Sequence, residues 1–411
     1  MKIGYYIHHT SLKAGGIFTY SIGILKLLIK SAEIEKIHLI ISSDQEEYFQ
    51  KIIDSPKIQF KVVDRKNFAI NIRFAFSYLL SNAIALYRNR YKKSHHLMFL
   101  SKLSLRINPY RKHITSSQID LLHVPFQYSP IYNAEVPVII TMHDIQEYHY
   151  PEYFSSSQKL HRKINNINAI NESDHIIVSF DHIKKDLLKY FSIDDSKISI
   201  CPPPFAEDWF LSNKFTSEEI LNKKYELSKR FLLYPAATWK HKNHINLIKA
   251  MTKLIEDVLD FQLICTGNIT DHHLTIEKEI KKLKLEGKVK FLGIVPEEDL
   301  IGLYKAASLV VIPTLYEAGS GPLYEAMRYS SPVVCSNVTS LPGTMSNDNF
   351  IFDPNSIDEI VSLVRKMLTD DNLRQKNISN SIERMNYFRN QKYDYKFLNV
   401  YQGLKQKKSN N

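Results

Sequence analysis

The chain has 411 residues, 44% hydrophobic and 24% charged, with a formal net charge of +11. That length exceeds one ordinary core and predicts two domains, while the composition excludes a disordered or fibrous chain. Its three cysteines, Cys201, Cys265 and Cys335, are too widely spaced for a zinc site and point to a reducing compartment.

The N-terminal run Met1 to Ile7 reads as a buried strand without the long apolar core of a signal peptide, so a cytoplasmic protein is expected. Residues 1–205 alternate short strands with helices, the pattern of a doubly wound parallel sheet. Strands are predicted at Ile3–Ile7, Ile37–Ser42, Ile58–Val63, Leu121–Val124, Val138–Met142, His175–Val178 and Lys197–Ile200. After the first of them, Gly15 and Gly16 precede a helical pattern over Ile17–Ile29 and offer backbone N–H groups to a phosphate.

Between Arg65 and Ile119 there is no Asp or Glu, while eleven Lys and Arg are interleaved with aromatic and aliphatic residues. Asn71, Arg73 and Asn82 interrupt the apolar run too early for a spanning helix. One reading is an amphipathic segment lying on an anionic membrane surface, with Arg88, Arg90, Lys92 and Lys93 as its membrane or acceptor contacts. The other is a helix packed in the first domain with a solvated basic face. Nucleic acid is not the expected polyanion, because no helix-turn-helix, zinc or RNP-like pattern accompanies the charge.

The Val138–Met142 strand ends in His143 and Asp144. An imidazole there suits a sugar hydroxyl or a phosphate, with Asp144 to orient it. Pro202, Pro203 and Pro204 then break regular structure, and residues 206–229 read as an irregular linker. A second αβ pattern fills 230–385, with strands at Phe231–Tyr234, Phe261–Gly267, Val289–Gly293, Leu309–Pro313, Pro332–Cys335 and Phe350–Phe352. Lys242 and Asn243 open the helix after the first of these.

The most informative stretch is Ile312 to Leu341. A strand runs into Glu317 and then Gly319, Ser320 and Gly321; Pro322 suits a first helical position, and Glu325 lies on the first turn. Glycines before a helix start make an anion site of free N–H groups and a positive dipole end. Two carboxylates beside such a site fit a nucleotide sugar, whose hydroxyls need acceptors while its diphosphate needs donors.

The spacing Glu317-x7-Glu325, with its helix and the following Pro332–Cys335 strand, resembles the C-terminal signature of the family 4 retaining glycosyltransferases. Gly15-Gly16, His143-Asp144 with Pro151-Glu152, and Lys242-Asn243 resemble further motifs of that family in the same order. The resemblance implies a GT-B fold, α/β, with two Rossmann-like doubly wound domains facing each other across a cleft. It assigns residues 1–205 to the acceptor, 230–385 to the donor, and 386–411 to a last helix crossing back to the first domain. It also implies roles. Glu317 would hold sugar hydroxyls near the oxocarbenium centre, His143 would assist, and Lys242 would neutralise the departing diphosphate. Glu325 would accept from the ribose hydroxyls, the backbone at Val295 would hold the base, and Gly15, Gly16, Gly319, Ser320 and Gly321 would line the donor.

Two departures stand out: Ala318-Gly-Ser-Gly321 replaces an aromatic-containing Gly-Phe-Gly, and Ala237 replaces an Arg five positions before Lys242. With no Asp-x-Asp motif, neither metal nor cofactor is expected. The expected reaction moves a hexose from a nucleotide-diphosphate sugar to a glycan or lipid-linked acceptor in cell-envelope polysaccharide synthesis. The protein would be cytoplasmic, or peripheral on the inner face of the cytoplasmic membrane. The competing readings are a nucleotide-sugar epimerase of the same fold and a non-catalytic polyanion- or membrane-binding protein on a degenerate scaffold.

Overall fold

Short apolar runs, rich in Ile, Val and Leu, are long enough for strands and too short for helices, and they build two all-parallel sheets. The computed structural model describes residues 1–7, 16–91, 97–115, 119–132, 134–204, 214–257 and 261–409. The chain divides into two units, Met1–Pro204 with Lys392–Asn411, and Phe205–Gln391.

In the first unit the strands are β1 (Lys2–Tyr6), β2 (Lys36–Ser42), β3 (Ile58–Val63), β4 (Leu121–Val124), β5 (Val138–Met142), β6 (His175–Val178) and β7 (Ile198–Ile200). They lie in the order β3-β2-β1-β4-β5-β6-β7. In the second they are β8 (Phe231–Pro235), β9 (Gln262–Thr266), β10 (Val289–Phe291), β11 (Leu309–Ile312), β12 (Val333–Ser336) and β13 (Ile351–Phe352), ordered β10-β9-β8-β11-β12-β13. Each sheet thus winds one way and then the other, reversing between β1 and β4 and between β8 and β11. A doubly wound sheet opens its ligand crevice at such a reversal, outside the carboxyl ends of the strands.

Both faces of each sheet are covered, so Tyr5, Leu39, Leu121 and Ile177 in one unit and Leu232, Leu263, Val310 and Val334 in the other are fully buried. The helix Tyr393–Ser409 belongs to the first unit, where Phe397, Leu398 and Tyr401 join the same core as Ile3 and Tyr5. Residues 386–391 stay with the second unit, and Phe388 packs in its core. The expected linker is also shorter than its composition implied. Glu218–Tyr225 is a helix that buries Leu221, and its neighbours converge on Asp299. Thr216 Oγ1 and Lys224 Nζ each donate to that carboxylate at 2.6 Å, and Tyr225 adds a third bond. Burial alone would raise the Asp299 pKa, but these donors outweigh it and hold it below the usual carboxylate range.

The helix Phe68–Tyr91 runs straight through Asn71, Arg73 and Asn82. It is long and apolar enough, by length and composition, to cross a membrane, which corrects the expectation of an early break. Asn71 causes no break because its amide caps the Arg65 carbonyl at 2.6 Å, and Asn82 accepts from Asn168.

Gly302 tests how tightly residues 214–217 are held. A Cβ there would lie 2.3 Å from the Thr216 carbonyl oxygen. Gly302→Ala should therefore lower the unfolding free energy by roughly 1–3 kcal/mol in urea titration. An unchanged midpoint would show that this segment does not pack where the structure puts it.

Candidate active site

In the second unit two loops leave the carboxyl ends of the neighbouring strands β8 and β11. The first passes through Ala237 into a tight turn, Lys240–Lys242, before the helix His244–Asp257. Asn243 closes the turn in the left-handed conformation (φ 60°), which Asn tolerates better than most residues. Its side-chain amide donates to the carbonyls of Pro313 and Pro354, both at 2.9 Å, and Tyr234 donates to the Lys242 carbonyl at 2.7 Å. The backbone under Lys242 is fixed from three sides.

The second loop is stitched to the first. Leu315 N–H donates to the His241 carbonyl at 2.7 Å, and Thr314 Oγ1 lies 3.0 Å from the same oxygen. Thr314 Oγ1 also lies 3.3 Å from Glu317 Oε2. The result is a direct ion pair: Lys242 Nζ donates to Glu317, whose side chain is almost wholly buried. The sequence reading assigned these residues to different ligand groups, and here they are partners.

Past Glu317 the chain enters the helix Gly321–Arg328 with Ser320 at its cap. Of the first-turn donors, Pro322 has no N–H and Leu323 N–H reaches back to the Ser320 carbonyl at 3.1 Å, so Gly321 is the one first-turn N–H left over among the described residues. The Ser320 hydroxyl is buried, makes no capping bond and has no partner among the described residues. Buried hydroxyls are normally bonded, so this orphan marks where a ligand oxygen would fit. Glu325 sits one turn on, with Tyr304 donating to its Oε2 at 2.6 Å. Burial raises the Glu325 pKa, against the opposing effects of Tyr304 and Arg328. Its Oε1 lies 3.6 Å from where a Cβ on Gly321 would be, so the carboxylate folds back onto the helix start.

The loop after β10 carries Val295, partly buried against the core, behind an exposed Ile294. Gly293 takes φ +66°, and its carbonyl accepts from Gly267 N–H at 2.8 Å. Gly267 itself (φ +117°) leaves no room for a side chain, since a Cβ would stand 2.9 Å from Ala237 N. The three loops beyond β8, β9 and β10 are thereby gathered at one edge of the sheet.

In the first unit His143 follows β5. Its Nε2 is 3.1 Å from the Pro125 carbonyl, which can only accept, so Nε2 carries the hydrogen. Burial lowers the His143 pKa and keeps the ring neutral, leaving Nδ1 with a lone pair. Tyr20 packs edge-on at 4.8 Å. Asp144 does not orient the ring as expected: Arg162 claims it and also donates to Glu147 at 2.7 Å, while Asn166 holds the other Glu147 oxygen at 2.7 Å. Glu147, Arg162 and Asn166 were not singled out in the sequence, because each reads as an ordinary helix or loop residue until the loop after β5 meets the helix Ser156–Glu172.

A buried chain of polar groups joins this site to the last helix. His123 Nδ1 lies 2.7 Å from Tyr401 Oη and Nε2 lies 3.0 Å from Thr141 Oγ1, which is 3.4 Å from Tyr20 Oη.

Gly16 opens the helix Gly16–Lys30 with nothing within 4 Å of an added Cβ, and Gly15 lies outside the described residues. Lys92 and Lys93 also lie outside them. Arg90 is exposed over the Tyr91 ring. Arg88 is not a surface contact: it holds Glu172 at 2.6 and 2.7 Å and Ser101 at 2.9 Å.

Residues 217–384 match the family described as Glycosyl transferases group 1, and residues 79–208 match Glycosyltransferase Family 4. The chain belongs to the family 4 glycosyltransferases. This family 4 chain is 28% identical over 239 residues to O-antigen chain mannosyltransferase B of Escherichia coli, covering 58% of this chain and 62% of that protein. It is 26% identical over 215 residues to O-antigen chain mannosyltransferase RfbU of Salmonella typhimurium, covering 52% and 56%. It therefore spans little more than half the length of these relatives. Among solved structures it resembles Anabaena Alr3699/HepE in complex with UDP and glucose (TM-score 0.63, 14% identity, 100% and 98% coverage). It also resembles WaaG, a glycosyltransferase involved in lipopolysaccharide biosynthesis (TM-score 0.64, 16% identity, 98% and 99% coverage). The fold is GT-B.

Two expectations follow for this family 4 chain. Tyr401→Phe strips His123 Nδ1 of its partner inside the core and should cost about 1–3 kcal/mol of stability in urea unfolding. A neutral effect would show that the contact is not formed. Burial also pushes His123 to about 3, His241 to about 2 and His244 to about 3, below an ordinary 6.5. Protonation therefore favours the unfolded chain. Stability should be full above about pH 6.5 and fall at lower pH, by up to about 1.4 kcal/mol per pH unit per histidine. A flat thermal-midpoint profile down to about pH 4.5 would contradict the neutral, buried assignment.

Proposed function

We propose that the protein is a retaining, metal-independent hexosyltransferase, taking its sugar from a nucleotide-diphosphate donor and passing it to a glycan or lipid-linked acceptor of a cell-envelope polysaccharide. The observation that carries this reading is the Lys242–Glu317 pair at the strand-order reversal, beside the Ser320 hydroxyl and a helix start. A cation and an orphan hydroxyl at a helix start suit a diphosphate; the carboxylate suits sugar hydroxyls.

As the anomeric C–O bond breaks, its electron pair leaves with the diphosphate. Lys242 moves from Glu317 to that growing charge and acts by electrostatics, without proton transfer. Glu317, released from Lys242, accepts from sugar hydroxyls near the oxocarbenium centre; the acceptor hydroxyl makes the new bond to the anomeric carbon, and its proton goes to the departing diphosphate. Glu325 keeps Tyr304 on one oxygen and offers the other to the ribose. The backbone at Val295 holds the base, and the family resemblance adds Gly15 and Gly16 to the donor-binding residues. His143 presents its Nδ1 lone pair to a sugar hydroxyl. The names of the O-antigen relatives support mannose as the hexose and an O-antigen-type acceptor. The same reading has the protein cytoplasmic.

Thermal shifts with UDP, GDP, ADP and their sugars, with and without EDTA, test the donor. A ligand at about 100 times its Kd should add roughly 2.7 kcal/mol. One base should stabilise the protein regardless of EDTA, and Lys242→Ala should lose most of that shift. Glu317→Gln and Lys242→Ala should each cut transfer by about 10²- to 10³-fold, with the anomeric configuration of the wild-type product retained by NMR. Normal turnover in both variants would overturn the site. Binding without any turnover in the wild type would favour the degenerate-scaffold reading.

A further inference from the structure

The helix Phe68–Tyr91 is inverted. A surface helix ordinarily turns its apolar stripe to the core and its polar face to water. Here Phe68, Ile72, Phe76, Leu79 and Leu86, spaced three, four or seven residues apart along one face, are 39% to 77% exposed. The polar residues point inward instead. Ser77 donates to the Ser104 carbonyl at 2.9 Å, and Tyr78 bonds Asn165. Asn82 pairs with Asn168, and Arg88 forks onto Glu172. The neighbouring helix Met98–Ile107 continues the apolar surface with Phe99, 74% exposed. Around it stand the exposed cations Lys66, Arg73, Arg90, Lys102 and Arg106, in a stretch of 55 residues without one Asp or Glu.

We infer that this face docks in the plane of an anionic bilayer, with the Phe68–Tyr91 stripe and Phe99 sunk among the acyl chains and the cations on lipid phosphates. A patch this large and apolar is rare on a surface that meets only water. Its basic rim complements anionic headgroups. A spanning orientation is excluded by the inward face: the bonds to Asn165, Asn168 and Glu172 tie one side of the helix to the rest of the unit, so only the other side is free to meet lipid. The contact is thus apolar insertion with a basic rim, and Arg88, which the charge run alone would include, takes no part in it.

Flotation of the full chain with phosphatidylglycerol–phosphatidylcholine vesicles, without donor or acceptor, tests this independently of the transferase reading. The wild type should float with these vesicles and far less with phosphatidylcholine alone. Phe76→Asn with Leu79→Asn should weaken binding about tenfold or more, even at low salt, without lowering the thermal midpoint. Arg73→Glu with Lys102→Glu should abolish the preference for anionic lipid. Arg88→Glu should instead lower the thermal midpoint. Undiminished flotation of the Asn pair would overturn the proposal. So would a lipid-free dimer in sedimentation velocity that the same pair dissolves, since the face would then belong to a second copy.

Discussion

A carboxylate shielded from water needs a cation or several donors close by, and Glu317 has Lys242. Much of the second unit serves that requirement. The pair forms only because β8 and β11 lie side by side, and they do so only because the winding reverses there. The crossed bonds among His241, Thr314, Leu315 and Asn243 then hold both loops at a separation short enough for the two charges to meet. The Lys242 ammonium is thereby held in a largely buried position by its carboxylate partner.

The first unit meets the same demand by different means. Its buried His123 and His143 are kept neutral because burial disfavours the charged ring, and the Pro125 carbonyl fixes the His143 hydrogen on Nε2. The charges it does bury are compensated at once, Glu147 by Arg162 and Glu172 by Arg88. The two units thus share a topology and differ in electrostatic character, charged in the loops after β8 and β11 and tautomer-controlled around His143.

The thirteen strands among the described residues were legible in the sequence to within two residues at either end, because a strand buried on both faces is an unbroken apolar run between turn residues. The placement of Glu317, Lys242 and Glu325 beyond strand ends and at helix starts was legible as well, through the turn residues beside them and the resemblance to family motifs. What escaped was pairing across distance. Nothing local in the sequence says that Lys242 meets Glu317, that Arg162 takes Asp144 from His143, or that Arg88 turns inward to a carboxylate 84 residues away. The helix at Glu218–Tyr225 was hidden for the same reason, since its anchor Asp299 lies some 75 residues downstream. The composition of the Phe68–Tyr91 helix was plain; which of its faces looks outward depended on partners in other elements.

The helix Tyr393–Ser409 has a further implication for how the protein comes to be folded. Tyr401 reaches His123 across 278 residues, and the intervening chain includes the whole second unit. The second unit is continuous and can close its core as soon as it leaves the ribosome, whereas the first waits for its last element. Until then the slots for Phe397, Leu398 and Tyr401 stand open beside β1, β2 and β4, exposing apolar surface in a half-made protein. The unit synthesised first is therefore the one completed last.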